Sequence, residues 1–138
     1  MSVTGAGGRT LREAWQDGAE AYLGISVAGF PNFFLLYGPN TNLGHNSVVY
    51  MLESQIRYVL QAVRLLARGD ARTVDVRPDV QRGYNEWVQD RVTETVWNRG
   101  CTSWYRTASG RNTTNWPDFT FLYRLRTRRF DPSKYAAA

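Results

Sequence analysis

The residues that most often build metal centres and disulfides are nearly absent from this sequence. Its 138 residues include one cysteine and one histidine, Cys101 and His45. A single cysteine cannot close a disulfide within the chain, and this pair is too small for the usual four-ligand zinc site. His45 could serve as a general base, but no nearby carboxylate in the sequence is placed to orient its ring. We therefore predict no metal site, and no spacing in the sequence marks a catalytic dyad.

Long apolar runs are missing as well. Runs such as Phe33 to Tyr37 extend over five residues, whereas a helix that crosses a bilayer needs about 20. The opening residues, MSVTGAGGRTLREAW, contain no apolar core of the kind found in signal peptides. We therefore expect a cytoplasmic protein without a membrane segment.

Basic charge is unevenly distributed and is carried almost entirely by arginine. The net charge is +5, and sixteen of the seventeen basic residues are arginine, Lys134 being the exception. Between residues 99 and 134, eight basic residues stand against two acidic ones, which gives +6 for this stretch and leaves the rest of the chain near neutrality. A basic region in a chain that is 14% aromatic fits a nucleic-acid surface, a site for a phosphorylated cofactor, or a solvated face.

The first half of the chain is organised around one strand-to-helix pattern. The apolar run 33–37 is bounded by proline and glycine and predicts a strand buried on both faces. A polar elbow over residues 38–47 follows, and it leads into a helix predicted over 46–68. The apolar residues of this helix recur at steps of three and four and predict its buried stripe: Val48, Leu52, Ile56, Val59, Val63 and Leu66.

Two local interactions are predicted in this helix. Asn46 or Ser47 can cap its N-terminus through a side-chain oxygen. Glu53 precedes Arg57 by four residues, which is the favourable order for an ion pair on a helix surface.

Shorter elements are predicted in the second half. Residues 73–77 (TVDVR) alternate as a short strand does, and Pro78 opens a helix expected to continue to about residue 98. Residues 101–118 are interpreted as a strand followed by a polar loop, and residues 119–130 as a short basic helix. We therefore assign the chain to the α+β class, with long helices and a few short strands.

The elbow, GPNTNLGHNS, is the strongest candidate for a ligand site. A glycine-rich turn that feeds a helix exposes the backbone N–H groups of the helix N-terminus, and the helix dipole there favours an electron-rich ligand atom. The asparagine and serine side chains of the elbow add donors and acceptors. The lysine of a nucleotide-binding P-loop is absent. The pattern therefore indicates either a cofactor carbonyl or phosphate at the elbow, or a capped helix with a polar lead-in.

Two long motifs, in this order, resemble those of one family. AYLG followed by GFPNFFLLYGPNTNLGHNSVVYMLESQIRYV, and later CTSWYRTASGRNTTNWPDFTFLYRLRTRRF, resemble the C-terminal region of flavin-dependent Baeyer–Villiger monooxygenases, within the flavin-containing monooxygenase group. The resemblance covers about residues 7–130. It implies the C-terminal part of a flavoprotein with two dinucleotide-binding domains, which uses FAD and NADPH to insert one oxygen atom into a ketone or to oxidise a soft heteroatom.

The same resemblance implies a division of the chain and a set of site residues. Residues 1–69 would complete the FAD-binding domain, and residues 70–138 would form a helical, substrate-side segment with a basic tail. Arg106 and Arg111 would lie near NADPH. The residues implied at the flavin edge are Gly44, Asn46, Ser47 and Val48, and the residue implied on the substrate and NADPH side is Trp104.

Other signatures of that family do not occur in this sequence. The two GxGxxG fingerprints, for FAD and for NADPH, are missing, since GAGG at residues 5–8 lacks both the spacing and a preceding strand. We therefore expect this chain alone to bind FAD weakly or not at all, to be inactive, and to associate with a partner that carries the missing half or with itself. The alternative is a basic, aromatic module that binds nucleic acid or protein without catalysis, although no nucleic-acid fold signature occurs.

Overall fold

A computed structural model describes residues 2–44, 46–95 and 107–137 of the chain. Within these ranges the regular elements are short strands and helices, as expected for the α+β class. Their bounds in chain order are α1 Leu11–Ala14, α2 Val48–Ala67, β1 Val74–Val76, α3 Pro78–Thr93, α4 Thr120–Arg126 and β2 Tyr135–Ala137, with 3-10 turns at Ala6–Gly8 and Pro132–Lys134. None of the helices in these ranges has the length and apolar content needed to cross a bilayer.

The two strands join the end of the chain to its middle. β1 and β2 pair antiparallel, with Val74 opposite Ala137 and Val76 opposite Tyr135. The ring of Tyr135 is buried, and its hydroxyl lies 3.0 Å from the Tyr58 hydroxyl of α2 and 3.2 Å from Ser26 Oγ. Burial raises the pKa of Tyr135 to about 12.

Helix α2 buries a different face from the predicted stripe. Its fully buried residues include Met51, Tyr58 and Ala62, whereas Ile56 and Val63 are each 43% exposed. The sequence pattern located the helix correctly, but the face that it predicted to be buried differs from the face that is buried in the structure. The reason is that polar-tipped side chains find partners inside: the Tyr58 hydroxyl meets Tyr135, and Gln55 Nε2 donates to the Tyr123 hydroxyl at 3.0 Å. The inward face is therefore partly polar, and several branched apolar residues are left on the outward face.

The strand predicted over residues 33–37 is absent. Phe34 makes a single isolated bridge to Ser26, and the N–H of Leu35 donates to the Ile25 carbonyl at 2.8 Å. Tyr37 has a φ of 59°, and it and the preceding Leu36 are about half exposed. The left-handed backbone at Tyr37 cannot continue a strand, so this apolar run forms a turn-rich lead into the elbow.

The remaining predicted elements are present with shorter bounds. The strand predicted over 73–77 is β1, and the helix predicted from Pro78 to about residue 98 is described as far as Thr93. The basic helix predicted over 119–130 is α4, which ends at Arg126. The strand predicted at the start of 101–118 falls mostly outside the described residues, and residues 107–118 form a loop.

One hydrophobic core draws on both predicted segments, 1–69 and 70–138. Ile25 and Met51 from the first segment pack in the same cluster as Val88, Trp116 and Tyr123 from the second. The Trp116 ring meets the Tyr123 ring edge-on, with centroids 5.1 Å apart. Several aromatic residues of the basic half thus serve the core and are not available as stacking platforms for bases.

The rotated face of α2 can be tested with two substitutions in the same helix. Met51→Ala removes a fully buried side chain and should lower the free energy of unfolding by about 2–5 kcal/mol. Ile56→Ala, at a partly exposed position, should lower it by less than about 1 kcal/mol. Urea denaturation followed by circular dichroism measures both values. A larger loss of unfolding free energy for Ile56→Ala than for Met51→Ala would instead support the buried stripe predicted from the sequence.

Candidate functional site

The elbow begins with a close approach of two backbone segments. A Cβ placed on Gly38 would lie 2.2 Å from the Gly24 carbonyl oxygen, so only glycine fits there. Gly24 itself has a φ of +66°, and a Cβ on it would lie 2.2 Å from Thr41 Cγ2. The Thr41 hydroxyl donates to the Gly38 carbonyl at 2.7 Å and closes the turn. The elbow therefore packs directly on the chain at residue 24.

A network of buried amides fastens the elbow to residues 112–116. Asn40 Nδ2 donates to the carbonyls of Asn112 and Asn115 at 2.7 and 3.2 Å, and the Asn40 N–H donates to the Thr113 carbonyl at 3.0 Å. The Asn42 N–H donates to the Thr114 carbonyl at 2.9 Å in a parallel bridge region. Asn40, Asn112 and Asn115 are all buried, so these bonds are shielded from water and costly to break.

A second set of contacts fixes the elbow to α2 and α4. The Tyr37 N–H donates to Gln55 Oε1 at 2.8 Å, and the other end of the Gln55 amide donates to the Tyr123 hydroxyl. That hydroxyl donates in turn to the Leu23 carbonyl at 2.6 Å. The Tyr37 hydroxyl donates to Asn42 Oδ1 in a short hydrogen bond. The elbow is thus held by side chains from two helices as well as by its own turn.

The four residues predicted at the flavin edge lie together at the start of α2. Gly44, Asn46 and Ser47 are exposed and Val48 is partly buried. Ser47 is the N-cap but makes no side-chain capping bond, while Asn46 Nδ2 donates to Thr120 Oγ1 at 3.0 Å. Among the described residues, Asn46 Oδ1 accepts from the adjacent Ser47 N–H and from no N–H group inside the helix, so the capping predicted for Asn46 or Ser47 is not seen there.

The electrostatics of this helix end favour an electron-rich group. The first turn of α2 contains no acidic residue, and no side chain in the described ranges caps its N–H groups. The partial positive charge of about half a unit at a helix N-terminus is therefore not neutralised locally. Chemically, the arrangement offers backbone N–H donors and a positive potential, but no acid or base within the described part of the elbow.

A cleft of about 510 Å³ opens along the other side of the elbow. Its lining is mainly apolar, and its polar side chains include Tyr37 and Asn42, which hydrogen-bond to each other. The residues that line it are Trp15, Ala19, Leu35, Leu36, Tyr37, Gly38, Pro39, Asn42, Thr113 and Thr114. A partly apolar cleft with a few oriented polar groups suits a flat organic ligand.

The other residues singled out from the sequence are Arg111, which is described, and three that are not. His45, Trp104 and Arg106 lie outside the described residues. Arg111 is held by Glu20, with Nη2 and Oε2 2.9 Å apart. In the described ranges, no group of three or more side chains of the metal-binding types comes together.

Sequence reasoning missed Asn112 and Asn115, although they complete the elbow. The side chain of Asn112 accepts from the N–H groups of Thr114 and Asn115 at 3.0 and 2.9 Å and so shapes the turn that meets Asn40. The Nδ2 atoms of both asparagines are buried without a hydrogen-bond partner among the described residues. The available signal was the repeated asparagine pattern, N-T-N in the elbow and N-T-T-N in the later loop.

Comparison with known proteins gives a consistent result, although no family model matches the sequence. The chain is 52% identical over 135 residues to a Baeyer-Villiger monooxygenase of Pseudomonas aeruginosa, covering 96% of this chain and 26% of that protein. It is 46% identical over 128 residues to the FAD-binding monooxygenase ktnD of Aspergillus niger, covering 89% of this chain and 21% of that protein.

Solved structures show the same relationship in three dimensions. An oxidized steroid monooxygenase bound to NADP matches with a TM-score of 0.79 and 30% identity, over 92% of this chain and 24% of that one. A complex of OTEMO with FAD and NADP matches with a TM-score of 0.83 over all of this chain and 26% of that one; at 23% identity it supports the fold alone. The fold is therefore that of a segment of flavin-dependent monooxygenases.

In sequence and in fold the chain corresponds to the C-terminal region of Baeyer–Villiger monooxygenases, as the resemblance of the two motifs implied. It spans about a quarter of the length of the relatives that it matches. Relatives described as FAD-binding and solved structures bound to NADP support FAD and NADP as the cofactors of the family.

The close approach at the elbow predicts opposite effects for two glycine substitutions. Gly38→Ala forces a methyl group against the Gly24 carbonyl and should lower the free energy of unfolding by about 1–3 kcal/mol. Gly83→Ala, in the interior of α3 with no atom within 4 Å of the new Cβ, should leave it unchanged or raise it by up to about 1 kcal/mol. Thermal or urea unfolding distinguishes the two. Equal effects would show that the elbow tolerates displacement from residue 24.

Proposed function

We propose that this chain supplies the C-terminal part of an FAD- and NADPH-dependent Baeyer–Villiger monooxygenase, which inserts one oxygen atom into a ketone. The observation that carries the proposal is the 52% identity to a Baeyer-Villiger monooxygenase over 96% of the chain. In this assignment residues 1–69 complete the FAD-binding domain of such an enzyme, within a flavoprotein of two dinucleotide-binding domains. Residues 70–138 form its substrate-side segment, with Trp104 on the side of substrate and NADPH.

The start of α2 fits a flavin edge on the chemistry of its donors. Gly44, Asn46 and Ser47 are exposed, the first turn carries no carboxylate, and the helix dipole is not neutralised. The oxygen- and nitrogen-rich edge of a flavin gains electron density on reduction, and a positive helix end stabilises that charge. Gly44, Asn46, Ser47 and Val48 are therefore assigned to hold this edge.

FAD, when bound, supplies the redox chemistry of the reaction, and the protein supplies position and potential. The role of the elbow is to present the N-terminus of α2 in a fixed orientation. Asn40 and Gln55 carry out this function, because their buried hydrogen bonds join the elbow to the 112–116 loop and to Tyr123. The mainly apolar cleft beside the elbow offers an open surface on which part of a ligand could pack.

The outward face of α2 supports association with more protein. Val49, Ile56, Leu60 and Val63 are between 43% and 61% exposed and follow one side of the helix. A continuous apolar stripe on a helix normally packs against another element. We assign the remaining part of a full-length monooxygenase as the partner that packs on this stripe. Where that part is absent, we assign a second copy of this chain to the same role.

A chimera tests the proposed function. This chain replaces the matching quarter of the Pseudomonas aeruginosa relative, and the purified protein is examined for bound flavin by visible absorbance and for ketone-dependent NADPH oxidation. We expect the chimera to retain FAD and turn over a ketone, and the 138-residue chain alone to retain no FAD after gel filtration. A folded chimera without flavin or turnover would contradict the proposal.

The assignment of the flavin edge is tested in the same chimera at Ser47. Ser47→Asp places a negative charge at the helix start, and aspartate is a favoured residue at the N-cap position. The reduction potential of the flavin should fall by roughly 30 mV, which is about 1.4 kcal/mol for a two-electron couple. Ser47→Asn is the neutral matched control and should leave the potential unchanged. Identical reduction potentials for both variants would contradict the assignment of Ser47 to the flavin edge.

Self-association of the isolated chain should depend on the outward face of α2. We expect light scattering to report a mass above that of the monomer, and Ile56→Gln combined with Leu60→Gln to shift it toward the monomer, because the apolar stripe is interrupted. Arg64→Gln, an exposed change in the same helix, is the control and should have little effect. A monodisperse monomer for the unsubstituted chain would refute the assignment of a second copy.

A further inference from the structure

A cleft between α2 and α4 is lined almost entirely by arginine and hydroxyl side chains. It has a volume of about 280 Å³, and none of its lining residues belongs to the elbow. The residues that line it are Ser54, Arg57, Arg124, Thr127 and Arg128. Three arginines on one small cleft repel each other, so such an arrangement calls for compensating negative charge.

One of the three arginines is held rigidly by its neighbours. The guanidinium of Arg124 lies over the Tyr50 ring, 3.6 Å from its centroid. Its Nε donates to Ser54 Oγ at 3.2 Å, and its Nη2 donates to Glu53 Oε2 at 3.0 Å. These contacts leave the remaining N–H groups of Arg124 in a fixed direction, which lowers the entropy lost on binding a ligand.

The other two arginines have no acidic partner among the described residues. Glu53 was expected to pair with Arg57, but it pairs with Arg124 instead, which leaves the Arg57 charge uncompensated. Arg57 and Arg128 are exposed, and their backbone carbonyls both accept from Gln61 Nε2, at 3.1 and 3.3 Å. Gln61 therefore holds the chain at residue 128 against α2 and keeps both arginines beside the cleft.

The hydroxyl groups of the cleft do not change this charge balance. Ser54 Oγ donates to the Tyr50 carbonyl at 2.8 Å, and Thr127 Oγ1 donates to the Tyr123 carbonyl at 2.9 Å. Their protons are thus committed, and the donors left for a ligand are guanidinium N–H groups. Three arginines against one glutamate give a local charge of +2. The group that matches this charge and donor geometry is an anion with several oxygen acceptors.

We propose that the cleft between α2 and α4 binds a phosphoryl group through Arg57, Arg124 and Arg128. The site shares no residue with the elbow and does not depend on the flavin assignment. The phosphoryl group could belong to a small soluble molecule or to a lipid headgroup, because the exposed side chains of Phe121 and Leu125 on α4 provide an apolar surface near the basic cleft.

The test is calorimetric titration of the 138-residue chain with inorganic pyrophosphate at low salt, together with sedimentation with phosphatidylglycerol vesicles and with phosphatidylcholine vesicles. We expect Arg57→Gln and Arg128→Gln each to weaken binding roughly tenfold, as for the loss of one charge-assisted contact. The matched control is Arg72→Gln, which removes the same charge from an exposed position outside the cleft and should weaken binding less than twofold.

The arms of the experiment separate the sources of the phosphoryl group. Binding of pyrophosphate that is weakened in Arg57→Gln and Arg128→Gln supports a soluble ligand, and binding only to the anionic vesicles with the same weakening supports a lipid headgroup. The proposal is overturned if the chain binds neither probe, or if Arg72→Gln weakens binding as much as the two cleft variants. Circular dichroism of each variant confirms that the fold is retained.

Discussion

Asn40 joins two segments that are more than seventy residues apart in the sequence. Its side-chain amide donates to the carbonyls of Asn112 and Asn115, its backbone N–H donates to Thr113, and the whole residue is buried. A buried amide that lost these partners would cost about 1–3 kcal/mol for each unsatisfied group. The position of the elbow, and with it the start of α2, depends on this contact. The cleft beside the elbow is lined by residues from both sides of the same junction.

Helix α2 serves several purposes because its faces differ in chemistry. One face carries Met51, Gln55 and Tyr58 into the core, where polar tips are satisfied by Tyr123 and Tyr135. Another face is apolar but exposed, which is unusual for a helix in a small domain and fits a segment of a larger protein. The N-terminus has no acidic residue in its first turn, and the flank toward α4 carries uncompensated arginine.

The relation to Baeyer–Villiger monooxygenases gives these faces a common context. The chain spans about a quarter of the length of those relatives, so three quarters of such an enzyme would be available to meet its outward surfaces. In the proposed role, the elbow and the start of α2 would supply position and potential, and the reacting groups would come from the rest of such an enzyme.

The sequence by itself determined the elements whose signals are local. Apolar spacing of three and four located α2 to within two residues, and the two motifs identified the family that the chain resembles. Only the tertiary structure decided which face of α2 is buried and that residues 33–37 form turns in place of the predicted strand. It also decided that Glu53 forms its ion pair with Arg124 and not with Arg57. It also brought Asn40 to Asn112, which no spacing indicates. The physical reason is that periodicity reports which residues are apolar, whereas burial and pairing depend on partners that become neighbours only after folding.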